Sequence, residues 1–464
     1  MKRSTSCSFL LFFMFLLIFD VFITSSVITV EARKNHMKRS RPHKQHQKHH
    51  SNGHSQGSQS PSASQMATFD VMSFGAKGNG VSDDSKALVA AWEAACKVAG
   101  ATVKIPAQHR FLINPITLQG PCMPHLTLQI DGTVLAPSEA SSWPKSSLFQ
   151  WLNFKLLHNF TIQGSGTIDG QGSDWWTPSQ IYNMQKRFSK QIPGMKPTAI
   201  RLYSSNVVTV RDIRIINSPL CHLKFDNSKG ITVNNITISS PENSPNTDGI
   251  HLQNSQDVEI LHSHIGTGDD CVSIQTGCSN IHIHHINCGP GHGISLGGLG
   301  KDRSVACVSN IMVNDVWMQN TLYGVRIKTW QGGSGTVKNV SFSRIQVEDV
   351  KVPIVIDQYY CDKHVCKNQT GTVAICGVKF DEIRGSYAVQ PIHVACSNSI
   401  PCTDLHLINI QLSPSLHYRG FQQPLCSNSY GNSQPPLLPS PIHSCLTTAR
   451  PFIKRISRSH DALC

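Results

Sequence analysis

From Asn206 onward one short pattern returns at nearly regular intervals. "NVVTVRDIRIINS" begins at Asn206, "GITVNNITISS" at Gly230, "DVEILHSHIGTG" at Asp257, "NIHIHHINCG" at Asn280, "NIMVNDVWMQN" at Asn310 and "NVSFSRIQVED" at Asn339. The starts lie 24, 27, 23, 30 and 29 residues apart. An earlier copy, "NFTIQGSGTIDGQG", starts at Asn159. Each unit reads as a short alternating strand, a polar turn and a second strand. Such a unit cannot bury its apolar face alone, so copies must stack into a solenoid. The strands are β-branched and no helical pattern separates them. That predicts an all-β chain folded as a right-handed parallel β-helix. The rival is a β-sandwich, which regular short strands also permit. Its strands would alternate with hairpin turns such as Asn-Gly, whereas these units resemble one another.

The folded part is expected to span 66–464. It opens with a short strand, Phe69 to Ser73, and a glycine-rich turn. Ala87, Leu88, Ala91, Trp92 and Ala95 then recur at helical spacing, which predicts a helix over Asp84 to Val98. Ser82 is the expected N-cap and Gly100 marks the stop. This helix would cover the amino-terminal end of the solenoid core.

Residues 1–32 read as a secretory signal peptide: Lys2 and Arg3, the apolar run "FLLFFMFLLIF", then Ser25, Ser26 and Ala32. Asp20 leaves the run short for a membrane span. No later stretch is long and apolar enough to cross a bilayer, so the mature protein is expected outside the cell, free of the membrane and monomeric. Residues 33–65 carry seven Lys or Arg, six His and no acid. So little apolar surface predicts a disordered basic segment, suited to an acidic matrix. Of the net charge of +13, removing nine basic and two acidic residues before Met66 leaves 32 minus 26, or +6. Nucleic acid is one acidic partner such charge admits, but an acidic polysaccharide suits a secreted chain better. Sixteen cysteines agree with an oxidising compartment. Without Cys7 fifteen remain, so at least one stays free. The expected pairs are Cys96 with Cys122, Cys271 with Cys288, Cys361 with Cys366, and Cys396 with Cys402. Sequons stand at Asn159, Asn235, Asn339 and Asn368.

A repeat turns sequence distance into spatial distance, because residues about one period apart stack on adjacent coils. Asp248, in "SPNTDGIH", lies 21 residues before Asp269, and His292, in "GPGHGIS", 22 residues after Asp270. Arg326 and Lys328, in "YGVRIKTW", follow one longer coil on, and their alternation puts them on one face. All six should line one groove. Three carboxylates, a histidine and two cations in a row suit acid–base hydrolysis of an acidic glycan. His292 has no second histidine at ligand spacing, so no metal is expected there.

The stretches "NTDG", "GDDC", "GHG" and "RIK" match, in order and spacing, the signature motifs of polygalacturonases, glycoside hydrolase family 28. The resemblance covers roughly Thr68 to Cys445 and is closest to plant members. It implies inverting hydrolysis of homogalacturonan, the de-esterified part of pectin, without a cofactor. It implies Asp269 as general acid, with Asp248 and Asp270 holding and deprotonating the water. His292 becomes a hydrogen-bonding partner of the acid. Arg326 and Lys328 become binders of the substrate carboxylate. Tyr360 resembles a subsite tyrosine, with Tyr359 the adjacent alternative, and Asn246 resembles a residue near the substrate. Crowded carboxylates raise the pKa of one of them, which keeps a proton available. Three other readings compete: a hydrolase of a rhamnogalacturonan backbone, a calcium-dependent pectate lyase, and a wall-binding protein without activity.

Overall fold

A computed structural model describes residues 67–143, 150–176, 196–362, 366–416, 421–448 and 463–464. The segments 1–32 and 33–65 lie outside the described residues.

The chain winds as parallel coils whose strands join two sheets, one of 19 strands and one of 11. All strand pairs between coils are parallel among the described residues, which excludes the hairpin-built sandwich. In the large sheet Asn206 pairs with Lys229, then Gln256, Ser279, Ser309 and Lys338. Those steps are 23, 27, 23, 30 and 29 residues, as the spacing of the repeats anticipates. In the small sheet Ile200, Leu223, Ile250, Val272, Ile294, Val325, Ile354 and Ile392 stack in one row. The row faces inward and is fully buried. The next position on each strand faces out, giving the row Lys224, His251, Ser273, Ser295 and Arg326.

Asparagines at the repeat starts have a structural cause. Asn280, Asn310 and Asn339 sit at the same corner with φ of 56°, 57° and 54°. Asn tolerates this left-handed conformation better than most residues. Their amides also form a ladder: Asn280 donates to Asp257 at 2.8 Å, Asn310 to Asn280 at 3.0 Å and Asn339 to Asn310 at 3.1 Å.

The capping helix spans Ser85–Ala95. Leu88, Ala91, Trp92 and Ala95 are buried, and Trp92 packs against Phe154 and Phe160 at 5.9 and 5.4 Å between centroids. It is shorter than expected, and Ser82 does not cap it. The N-cap position is Asp84, whose side chain turns back to the Lys77 and Gly78 amides at 2.6 and 3.0 Å, while Asp83 accepts from the Ser85 amide at 3.0 Å. Asp83 thus takes one orphan donor of the first turn, while Ser82 is engaged with Asn79. The opening strand also stops early: Thr68–Asp70 is extended, and Val71–Phe74 forms a 3-10 turn whose Met72 amide donates to the Asp70 side chain at 2.9 Å.

All four expected disulfides form, and Cys307–Cys464 and Cys426–Cys445 join them. Cys221, Cys278 and Cys376 are free thiols.

Candidate active site

The proposed catalytic residues lie at the starts of successive small-sheet strands. Asp248 precedes the strand Ile250–Gln253, Asp269 and Asp270 precede Val272–Ile274, and His292 precedes Ile294–Leu299. Arg326 and Lys328 lie on Tyr323–Trp330. Backbone bonds lock these turns together. The His222 amide donates to the Asp248 carbonyl at 2.9 Å, Gly249 to Asp270 at 2.9 Å and His292 to Asp269 at 2.8 Å. The turns stack so closely that a Cβ on Gly268 would collide with the Ser244 carbonyl. That is why the aspartate pair follows a glycine.

Asp269 is held from three sides. His292 Nδ1 stands 2.9 Å from its Oδ1, the Asn246 amide donates to Oδ2 at 3.2 Å, and the Asp270 amide donates to Oδ1 at 2.8 Å. Asp248 accepts from His251 Nδ1 at 2.9 Å. Asp270 is sealed in at 2 % exposure. Its Oδ1 accepts from Arg326 Nη2 at 2.8 Å and from Ser295 at 2.8 Å, and its Oδ2 from Lys328 Nζ at 3.1 Å. Arg326 Nε also donates to Ser295 at 2.9 Å. The two cations therefore serve first as counter-ions of a buried carboxylate. Ligand atoms of Asp269, Asp270 and His292 lie within 4.8 Å of one another, the reach of a metal ion. With two cations already on Asp270, like-charge repulsion makes this a poor cation site.

The protons are distributed differently from the simplest expectation. Burial pushes the Asp248 carboxyl up, against the His251 hydrogen bond, and the Asp269 and Asp270 charges add to the push. Burial works on Asp269 too, but the His292 bond and the charges of His292 and Lys328 outweigh it and hold that carboxyl down. The free site thus steers its proton toward Asp248 and away from Asp269.

Tyr360, not Tyr359, belongs to this cluster. Its ring lies 5.3 Å from Lys328 Nζ and edge-on to Trp330 at 5.4 Å, whereas Tyr359 is turned to solvent. Next to His292 a cleft of ≈ 480 Å³ opens, with Glu242, Asn320, Asp349 and Lys351 along its walls.

Three contributors escaped the sequence reading: His251, Ser295 and His222. His222 is fully buried, with Nδ1 on the Asp248 carbonyl at 3.0 Å and Nε2 on Ser240 at 2.8 Å. A signal existed for the first two. His251 and Ser295 share one outward row with Arg326, three coils and one coil before it.

This fold and site define a class of hydrolase built on a parallel β-helix, and comparison with known proteins agrees. The model of "Glycosyl hydrolases family 28" matches residues 96–429. The chain belongs to this family and is a glycoside hydrolase. Among its relatives, a probable polygalacturonase of Arabidopsis thaliana is 40% identical over 392 residues, 84% of this chain and 86% of that protein. A polygalacturonase of Malus domestica is 41% identical over 354 residues, 76% of this chain and 75% of that one. Among solved structures, the hyperthermoactive exopolygalacturonase of Thermotoga maritima has a TM-score of 0.62 at 19% identity, covering 80% of this chain and 89% of its own. The polygalacturonase of Erwinia carotovora has a TM-score of 0.59 at 24% identity, covering 81% and 99%. At such identities the two structures speak for the fold.

Proposed function

We propose that this protein is a secreted polygalacturonase of the cell wall, hydrolysing α-1,4 bonds between galacturonic acid residues of pectin with inversion. The observation that carries the reading is a held, partly open acid, Asp269, beside a cation pair fit for a uronate. Lys328 and Arg326 attract one substrate carboxylate, with Tyr360 against the sugar. The cleft with Lys351 continues the groove for a neighbouring residue. Family relatives at about 40% identity carry the name polygalacturonase, which supports this substrate over a rhamnogalacturonan backbone. Residues 1–32 act as the export signal, and 33–65 as a basic segment ahead of the catalytic domain 66–464.

The proton distribution gives substrate binding a role in catalysis. A uronate on Lys328 cancels one of the charges that hold Asp269 down, and the bound sugar removes water from it. Both effects raise its pKa, so Asp269 takes the proton it must give to the leaving oxygen. A neutral Asp269 removes one of the charges that add to burial in pushing Asp248 up, which shifts the balance toward ionised Asp248 on the His251 hydrogen bond. Asp248 and Asp270 then hold and deprotonate the attacking water. The two carboxyls titrate as a pair, not singly.

The free-site directions also favour a reversed reading, with Asp248 as acid. A galacturonide with an activated phenol leaving group separates the two, because such a group needs little protonation. Asp269→Asn should retain turnover of that substrate while losing polygalacturonate hydrolysis, and Asp248→Asn should lose both. The opposite pattern would reverse the roles. Proton NMR of the first products, before mutarotation, reports the anomer, and retained configuration would rule out direct attack by water.

A further inference from the structure

The histidines of the outer wall have no part in this chemistry. The strands Gln256–Gly266 and Cys278–Cys288 pair in the large sheet, and Glu259, His282 and His284 lie on their first halves, before the chain reaches the turns that bear Asp269 and His292. Along the second strand Ile281 and Ile283 point into the core, and His282 and His284 point out. Glu259 lies one coil back, in register with His282. One coordinating atom of each of Glu259, His282 and His284 lies within 4.8 Å of the other two. His284 Nε2 stands 3.1 Å from Glu259 Oε1, and the rings of His282 and His284 stack at 4.2 Å.

We propose that Glu259, His282 and His284 form a divalent transition-metal site, with zinc as the fitting ion. Two imidazoles and a carboxylate are a zinc donor set that leaves a fourth position for water. The site clamps two adjacent coils across their outer wall.

The surroundings of the two histidines are built for ligation. Asn314, one coil on, presents Oδ1 to His282 Nε2 at 2.8 Å, while its own amide donates to Asp315 at 2.5 Å. That second bond fixes which end of the amide faces His282. The acceptor oxygen keeps the proton on His282 Nε2 and leaves the lone pair on Nδ1. His284 Nδ1 meets His285 Nδ1 at 2.8 Å, so with a metal on Nε2 the Nδ1–H has an acceptor waiting. Such outer partners orient metal-binding imidazoles and raise their affinity. The row is also locally specific. Coil by coil, the positions stacked on His282 are Thr232, Glu259, Met312 and Ser341, and those stacked on His284 are Asn234, Leu261, Asn314 and Ser343. Along these two rows, the histidines stand on the coil next to the glutamate.

The test is zinc binding by the full chain at neutral pH. Equivalents bound are counted after gel filtration, and the melting temperature is followed against added zinc. Any zinc taken up by the six histidines of 33–65 is common to every variant, so the difference isolates the wall. The His282→Ala/His284→Ala double variant should hold one equivalent fewer and lose a zinc-dependent rise in melting temperature. Asn314→Ala should weaken that step about 10- to 100-fold. Turnover of polygalacturonate without zinc should stay at the wild-type level in both. Should the double variant misfold, Glu259→Gln decides, since it keeps the shape and removes the charge. Equal zinc content and equal melting shifts in wild type and Glu259→Gln would overturn the proposal.

Discussion

A single buried carboxylate organises the residue scale. Asp270 is only 2 % exposed, so its charge depends mainly on Arg326, Lys328 and Ser295. Removing one partner leaves that charge half-compensated. Lys328→Ala should therefore destabilise the fold by about 3–5 kcal/mol and also raise KM for polygalacturonate, as urea denaturation and initial rates will show. Unchanged stability would mean the pair is not desolvated. His222 makes a second prediction. Burial lowers its pKa from 6.5 to about 4, against the hydrogen bond to the Asp248 backbone. The folded state thus binds fewer protons than the unfolded chain below pH 6.5. Stability is full above that value, is lost as pH falls toward about 4, and levels off below it. The loss is of order 3 kcal/mol at about 1.4 kcal/mol per unit. His222→Gln should flatten that limb of a stability–pH curve; an unchanged limb would place the proton elsewhere.

At the scale of elements, corners matter as much as strands. Asn310 combines a positive φ of 57° with one amide bond given to Asn280 and one accepted from Asn339. Asn310→Ala keeps the backbone strain and breaks both bonds, so it should cost about 1–3 kcal/mol. Asn310→Gly relieves the strain and should cost less. Equal losses in a denaturant titration would show that the ladder bonds dominate and the conformation contributes little. The bridge Cys271–Cys288 works at the same scale. It ties the chain just after Asp270 to the residue before the Gly289–His292 turn, so the two successive turns that bear the acid pair and the histidine are braced together.

For the whole molecule, charge distribution is the separable property. The segment 33–65 carries seven Lys or Arg and no acid, while 66–464 is only mildly basic. Deleting 33–65 should leave kcat unchanged and weaken retention on a pectin gel. The difference should fade with salt, since exposed charges are screened beyond about 8–10 Å at physiological ionic strength. Identical elution of both forms across a salt series would show that the segment does not hold the enzyme to its substrate.

Period and order were legible from the start. Strand alternation and a repeat of 23 to 30 residues leave a stacked parallel coil as the way to bury each unit, and the register follows that spacing. The same arithmetic brought Asp248, Asp269, Asp270, His292, Arg326 and Lys328 together, because stacking converts one period into one coil height. Local capping was less legible: Ser82 pairs with Asn79, Asp84 turns to the Lys77 and Gly78 amides, and Asp83 takes the Ser85 amide, a division set by the path of the chain before the helix. The protonation of the site was not legible at all. Whether Asp248 or Asp269 holds the proton depends on which carboxyl is desolvated and which faces His292 and Lys328. Those are distances and burials between coils, and they exist only once the tertiary structure has formed.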